Sequence, residues 1–259
     1  MHRFKSTLQS VKFPEVREEG VSQDQEYMLI VDHGGEGKRK IRFHDYHEIY
    51  SIPGLYEHLF YERLKCQSPQ TISKMMQEEL QGGPMDASDL VVLDVGAGNG
   101  MVGEELSNIG VKSIVGIDII DEAAEAANRD RPEIYEDYYV ADLTQLPEDM
   151  RRELNDKQFN CMVSVSALGF GDIPPLAFAE AYNMVSTPGL VAFNIKDEFM
   201  STEDSSGFSR LIDRIIDAEV FEPAAQHRYM HRLSMDGSPL YYVAMVGTKN
   251  ADIPTEWVE

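Results

Sequence analysis

From Leu90 onward, short apolar runs alternate with segments whose apolar residues recur every three or four positions. Residues 90–95 are apolar except for Asp94 and predict a buried strand, followed by glycines and a helix over 101–109. Further strands are predicted over 111–118, at the segment ending 138–141, over 159–165 and over 190–195. Helices over 121–128, 146–154, 175–185 and 208–218 separate them, the last with Leu211, Ile212, Ile215 and Ile216 on one side. Strands bounded by helices require crossover connections, so the pattern predicts an α/β fold: a Rossmann-like, mostly parallel sheet with helices on both faces. The end of the chain differs. Residues 226–234 and 240–248 flank Met235-Asp236-Gly237-Ser238-Pro239 and predict an antiparallel C-terminal hairpin.

Before Leu90 the texture is different. Residues 26–44 predict a β-hairpin, with the apolar run Tyr27 to Val31, a turn at Gly34, Gly35 and Gly37, and alternating basic and apolar positions over 38–43. A helix is predicted over 53–65 from the spacing of Leu55, Tyr56, Leu59, Phe60 and Leu64. A second begins at Ser68-Pro69 and stops at Gly82-Gly83-Pro84. That stop divides the chain into a hairpin and helical cap, 1–84, and a core, 85–259. No internal repeat is visible.

Composition narrows the class. Hydrophobic residues are 42% and charged residues 26%, ordinary globular usage, and no apolar stretch approaches a membrane span. The first ten residues lack the apolar core of a secretory signal. Cys66 and Cys161 lie far apart and form no metal-ligand spacing, so no metal is expected and a cytoplasmic location is the expectation. Net charge is −22, with 45 acidic against 23 basic residues. Residues 1–45 are balanced, so the excess sits on 46–259. Such a surface repels phosphates on average, which argues against a nucleic-acid partner.

The chemistry-bearing stretch is Asp94-Val95-Gly96-Ala97-Gly98-Asn99-Gly100, where a buried strand runs into three alternating glycines and a helix. Glycines let the main chain turn sharply and approach a ligand, with the helix N-terminus nearby. Asp118 ends the next strand, 18 residues after Gly100, where an acid can accept hydrogen bonds from a ribose. Two cofactors compete. A nicotinamide dinucleotide wants G-x-G-x-x-G at the strand end; counted from Gly96 the third position is Met101, and the match beginning at Gly98 comes two residues late. Asp94 under the loop suits a ligand with an ammonium group instead.

Here the sequence resembles the class I S-adenosylmethionine-dependent methyltransferases. Asp94 to Gly100 is similar to their first motif and Gly116-Ile117-Asp118-Ile119 to their second. Val140-Ala141-Asp142-Leu143 falls at their adenine-binding acid, and 159–167 resembles their fourth strand and its loop. The resemblance covers about 85–249. It implies that S-adenosylmethionine is the cofactor and that Asp94 orients its methionine part. Gly96, Ala97, Gly98 and Gly100 would then give backbone approach, while Asp118 takes the ribose hydroxyls with Ile119 against the adenine. Asp142 would meet the adenine amine beside Leu143, and Ser164 and Val165 would line the cofactor near the sulfonium. By the same analogy an N-terminal helix closes over the cofactor, so that Tyr50 or Tyr56 touches it.

Methyl transfer is an in-line displacement that needs alignment and exclusion of water more than a catalytic signature. No catalytic residue stands out; His44, His47 and His58 are candidate bases. His227 and His231 alternate on an expected edge strand and read as surface or substrate-rim residues. The fourth strand carries Ser164-Val165-Ser166-Ala167 where amino-methylating nucleic-acid enzymes of this family have Asn/Asp-Pro-Pro-aromatic. With the acidic charge, this favours a small-molecule substrate methylated on O, N or C, with no nucleic acid and no membrane. Two alternatives stay open: a nicotinamide-dependent oxidoreductase, and a non-catalytic interaction protein whose N-terminal hairpin pairs with a partner or a second copy as a homodimer.

Overall fold

The computed structural model describes residues 9–14, 22–32, 38–83, 85–169, 172–201 and 204–258. The central sheet has seven strands: β4 (Val91–Val95), β5 (Ser113–Asp118), β6 (Asp137–Val140), β7 (Cys161–Ser164), β8 (Gly189–Lys196), β9 (Phe221–Leu233) and β10 (Pro239–Lys249). Their order is β6-β5-β4-β7-β8-β10-β9. The first five pair in parallel, and β10 runs antiparallel between β8 and β9. The Rossmann-like α/β sheet with a reversed C-terminal hairpin is therefore present. Strand direction of travel switches between β4 and β7, the place where open α/β sheets form their ligand crevice.

Helices α3 (Met101–Asn108), α4 (Asp121–Asp130), α5 (Glu148–Asp156), α6 (Pro175–Asn183) and α7 (Phe208–Asp217) cover the two faces. One core cluster joins Leu93, Val95, Phe193 and Ile195 to Phe178 and Tyr182 of α6 and to Leu211 and Ile215 of α7. The other face joins Val92, Val163 and Ala192 to Val102 and Leu106 of α3. Ile72, Met75 and Met76 of α2 (Ser68–Leu80) pack in that second cluster, so α2 leans on the main sheet. Among the described residues no helix is long and apolar enough to cross a membrane.

The N-terminal part departs from the sequence pattern in three ways. The paired strands β2 (Tyr27–Asp32) and β3 (Lys38–Arg42) are present, but β2 also pairs with an unanticipated β1 (Gln9–Lys12). The expected turn glycines Gly34, Gly35 and Gly37, and the boundary residue Pro84, lie outside the described residues. An unanticipated α1 (Tyr46–Ser51) precedes the helix expected over 53–65, and within that range Glu57–Arg63 is wound as a π-helix. In the wider winding Leu64 N–H reaches the Leu59 carbonyl at 2.9 Å, which keeps Leu59, Phe60 and Leu64 on the small sheet.

Two buried polar clusters fasten this unit. Arg232 of β9 pairs with Glu26 at 2.6 Å. Arg131 donates to Glu57 at 2.8 Å, and Asn99 of the glycine loop donates to the same oxygen at 2.8 Å. The cap is thereby tied to the loop it covers.

Candidate functional site

The glycine loop follows from what its neighbours leave room for. Gly96 has φ +72°, and a Cβ there would stand 2.7 Å from Ala167 Cβ and 3.1 Å from Ile173 Cδ1. The N–H groups of Gly96 and Ala97 both donate to the Ile117 carbonyl, at 2.9 and 3.2 Å. Gly98, at φ +54°, is held from both sides: its N–H donates to Asp118 at 2.9 Å and its carbonyl accepts from the Tyr138 hydroxyl at 2.7 Å. Tyr50 of α1 places its hydroxyl directly over it.

A cavity of about 270 Å³ opens at the C-terminal ends of β4 to β7. Asp118 and Asp142 stand on its wall, with Leu143 buried beside Asp142 and Ile119 60% exposed at the rim. Asp118 accepts from the N–H groups of Gly98, Ile119 and Ile120. Burial raises its pKa, which those three donors oppose. Asp142 takes Thr144 N–H at 2.8 Å and Thr144 Oγ1 at 2.7 Å through one oxygen. Tyr46, Tyr50 and Tyr56 form the roof as a ring stack, with centroids 5.9 and 5.1 Å apart. Burial raises all three phenol pKa values, so each keeps its proton.

A smaller inner chamber, about 60 Å³, adjoins this cavity. Tyr50, Tyr56, Gly96 and Ser166 line both spaces, while Ala97 and Gly98 line only the inner one. Its far wall is Gln23, Tyr61, Cys66, His231, Arg232 and Tyr242.

Three of the motif residues line neither space. Asp94 is fully buried beneath the loop; its Oδ2 accepts from Tyr135 at 2.8 Å and its Oδ1 has no partner. Burial pushes its pKa up to about 7. Gly100, at φ +86°, opens α3 in a left-handed conformation. Ser164 donates to the Val95 carbonyl at 3.2 Å inside the sheet, and Val165 and Ser166 reach the cavity instead.

Residues 93–193 match the family model described as a methyltransferase domain. Residues 93–193 are a methyltransferase domain. Between the two cofactors weighed for the glycine loop, this match decides for S-adenosylmethionine. In fold, the methyltransferase is similar to the N-methyltransferase NodS from Bradyrhizobium japonicum, whose structure holds S-adenosyl-L-homocysteine. The identity is 13%, the TM-score 0.53, and the match covers 80% of this chain and 97% of that one. It is also similar to a putative RNA methyltransferase from Pyrococcus horikoshii, at 13% identity and a TM-score of 0.52, covering 70% of this chain and 83% of that one. No curated protein matches the sequence significantly.

Several residues of the candidate site carry no signal of their own in the sequence. Ser166 and Asp172 line both spaces, and Glu57, Asn99 and Arg131 join the cap to the loop. Asn99 sits inside the first motif and was the one legible signal. His231, for which the strand pattern predicts a surface or rim position, is 4% exposed and lines the inner chamber, whereas His227 of the same strand is exposed. The His44 imidazole pairs with Asp172 at 3.2 Å, and His58 pairs with Glu62 on the outside of the π-helical segment.

Proposed function

We propose that this methyltransferase holds S-adenosylmethionine with its adenosine in the outer cavity and its methionine part along the glycine loop, at the near side of the inner chamber, and methylates a small molecule. The observation that carries the reading is the pair Asp118 and Asp142, two strand-end acids facing one apolar-walled cavity beside the glycine loop. The donor set suits an adenosyl group. Asp118 would take the ribose hydroxyls and Asp142 the adenine amine, with Ile119 and Leu143 against the ring. Gly96, Ala97 and Gly98 would flank the methionine part under Tyr50 and Tyr56. The orphaned Oδ1 of Asp94 is a buried acceptor under the same loop and suits the cofactor's ammonium, directly or through water. The bound cofactor supplies a methyl group activated by its sulfonium.

The chain's own task is then alignment and exclusion of water. The tyrosine roof and the Glu57–Asn99–Arg131 cluster close the loop from the cap side. Enclosure of the inner chamber by that cap favours a small acceptor. The net charge of −22 favours one without a run of phosphates. A homodimer through the edge strand β3 is part of the reading; a monomer in sedimentation velocity excludes it. A cytoplasmic location is also part of it.

Thermal unfolding with S-adenosylmethionine, S-adenosylhomocysteine and NADH tests the cofactor assignment. A ligand at about 100 times its dissociation constant adds roughly 2.7 kcal/mol, or about 5–10 °C for a chain of this size. A rise with the adenosyl compounds alone is expected. Absence of any rise with them removes the assignment.

A further inference from the structure

The inner chamber ends on a line of buried side chains that cofactor binding does not use. Asn194 of β8, Tyr229 and His231 of β9, and Ser68 at the start of α2 are all at least nine-tenths buried. The line has a direction. Ser166 main-chain N–H can only donate, and it reaches Asn194 Oδ1 at 2.6 Å. This orients the amide, whose Nδ2 donates to the Tyr229 hydroxyl oxygen at 2.5 Å. Tyr229 therefore gives its own proton to Ser68 Oγ, 2.6 Å away. Ser68 gives its proton to His231 Nδ1, also at 2.6 Å. Nδ1 is the accepting nitrogen, so the ring proton sits on Nε2, which has no partner among the described residues. Burial, with the Arg232 charge, holds the imidazole pKa well below its ordinary value, and the ring is neutral.

Two more groups face the same space. Gln23 donates Nε2–H to the Tyr242 hydroxyl at 2.9 Å, while its Oε1 is buried without a partner. An unpaired buried acceptor is destabilising until a donor meets it. The Tyr242 ring lies 4.0 Å from the His231 ring, and its phenol is pushed up to about 12 by burial, so it stays protonated. The charges on the chamber wall already have partners: Arg232 pairs with Glu26 at 2.6 Å and Asp172 with His44 at 3.2 Å.

We propose that the far end of the inner chamber, at His231 and Gln23, is the acceptor site and takes an uncharged small molecule carrying an oxygen acceptor close to an N–H or O–H donor. His231 Nε2–H binds the oxygen, and Gln23 Oε1 receives the donor. A cationic amine finds no unpaired carboxylate there and is excluded by desolvation. That the bound molecule is then methylated rests on the function proposed above; the binding chemistry does not.

The full chain, labelled with nitrogen-15 and saturated with S-adenosylhomocysteine, provides the test. Long-range nitrogen–proton spectra of the imidazoles report which ring nitrogen of His231 carries the proton. The Nε2–H form is expected from about pH 6 to 8, and Ser68→Ala is expected to release it. A protonated ring or the Nδ1–H form at neutral pH overturns the proposal. Lactamide, a neutral hydroxy-amide, and 1-amino-2-propanol, a cation of similar size, are then titrated in turn. Lactamide is expected to shift the His231 resonance, at least tenfold more weakly in Gln23→Leu, and the amine to leave it unmoved. A shift with the amine alone, or with neither, overturns the proposal. Calorimetry with S-adenosylhomocysteine on the same samples keeps the two readings apart: loss of that binding speaks against the cofactor assignment alone.

Discussion

The Asp118 carboxylate accepts the main-chain N–H of Gly98 at 2.9 Å, across a sequence gap of 20 residues. The acid on the cavity wall therefore also fixes the loop that it faces. Its second oxygen takes the N–H groups of Ile119 and Ile120 at 2.8 and 3.3 Å, which sets the start of the next turn.

Asp118→Ala should then weaken S-adenosylmethionine binding by about 10- to 100-fold, because hydrogen bonds to a charged group contribute roughly 1.5–3 kcal/mol. Asp118→Asn keeps one carbonyl oxygen and should lose less. Calorimetric titration measures both. Wild-type affinity in the alanine variant would take Asp118 out of the cofactor site.

Gly98 and Tyr50 should be coupled. A methyl group on Gly98 meets the Tyr50 hydroxyl, and the backbone there has φ +54°. Gly98→Ala should cost roughly 1–2 kcal/mol from the left-handed conformation alone, plus the collision. Tyr50→Phe removes the closest contact, the hydroxyl, and leaves the ring carbon at 3.2 Å and the backbone strain. Urea denaturation of the double-mutant cycle should give a coupling of about 0.5 kcal/mol or more in the relieving direction. Strict additivity would mean that Tyr50 does not cover the loop in solution.

Asp94 should make stability fall between acid and neutral pH. Its pKa rises from 3.8 unfolded to about 7 folded, chiefly by burial, with Asp118 adding repulsion and Tyr135 opposing both. The native state holds this proton more tightly than the unfolded chain. The contribution is full below about pH 3.8 and is lost by about pH 7, a change on the order of 4 kcal/mol. Melting temperatures of wild type and Asp94→Asn, compared at several pH values, isolate it from the other carboxylates. Wild type should lose ground to the variant as pH rises from about 5 to 8. Parallel curves would show that Asp94 does not titrate there. A ligand ammonium near Asp94 stabilises the ionised form, so cofactor should narrow the gap at high pH.

Arg131 should be among the most costly polar residues to remove. Its side chain is 4% exposed and bonds Glu57 and Glu104 at 2.8 Å each and the Asn99 carbonyl at 3.1 Å. Arg131→Met leaves Glu57 buried with no cation, and breaking such a pair costs about 3–5 kcal/mol. Urea denaturation should show that loss, with much of it recovered in Arg131→Met combined with Glu57→Gln. Failure of the second change to recover anything would place the cost in packing rather than in charge.

The α/β order, the parallel core strands, the C-terminal hairpin and the two acids on the cavity wall are all legible in the sequence. These are local properties. A strand buried on both faces must be an apolar run, as in Val91–Val95, and a helix that covers a sheet must repeat near 3.6 residues, as in Phe208–Asp217. Asp118 and Asp142 were legible because each ends a strand beside the glycine loop, where topology alone puts them on the crevice.

Tertiary structure decided what lies across from what. The π-helical winding of Glu57–Arg63 depends on the small sheet beneath it and on Arg131, 74 residues away from Glu57. Ser164 turned into the sheet and Ser166 to the cavity because Asn194 of the neighbouring strand captures the Ser166 amide. His231 reads as an edge-strand residue, yet Ser68 and Tyr242 bury it against the inner chamber. Whether an edge is covered, and by which polar group, is set by segments far away in the chain. Local periodicity carries no record of them.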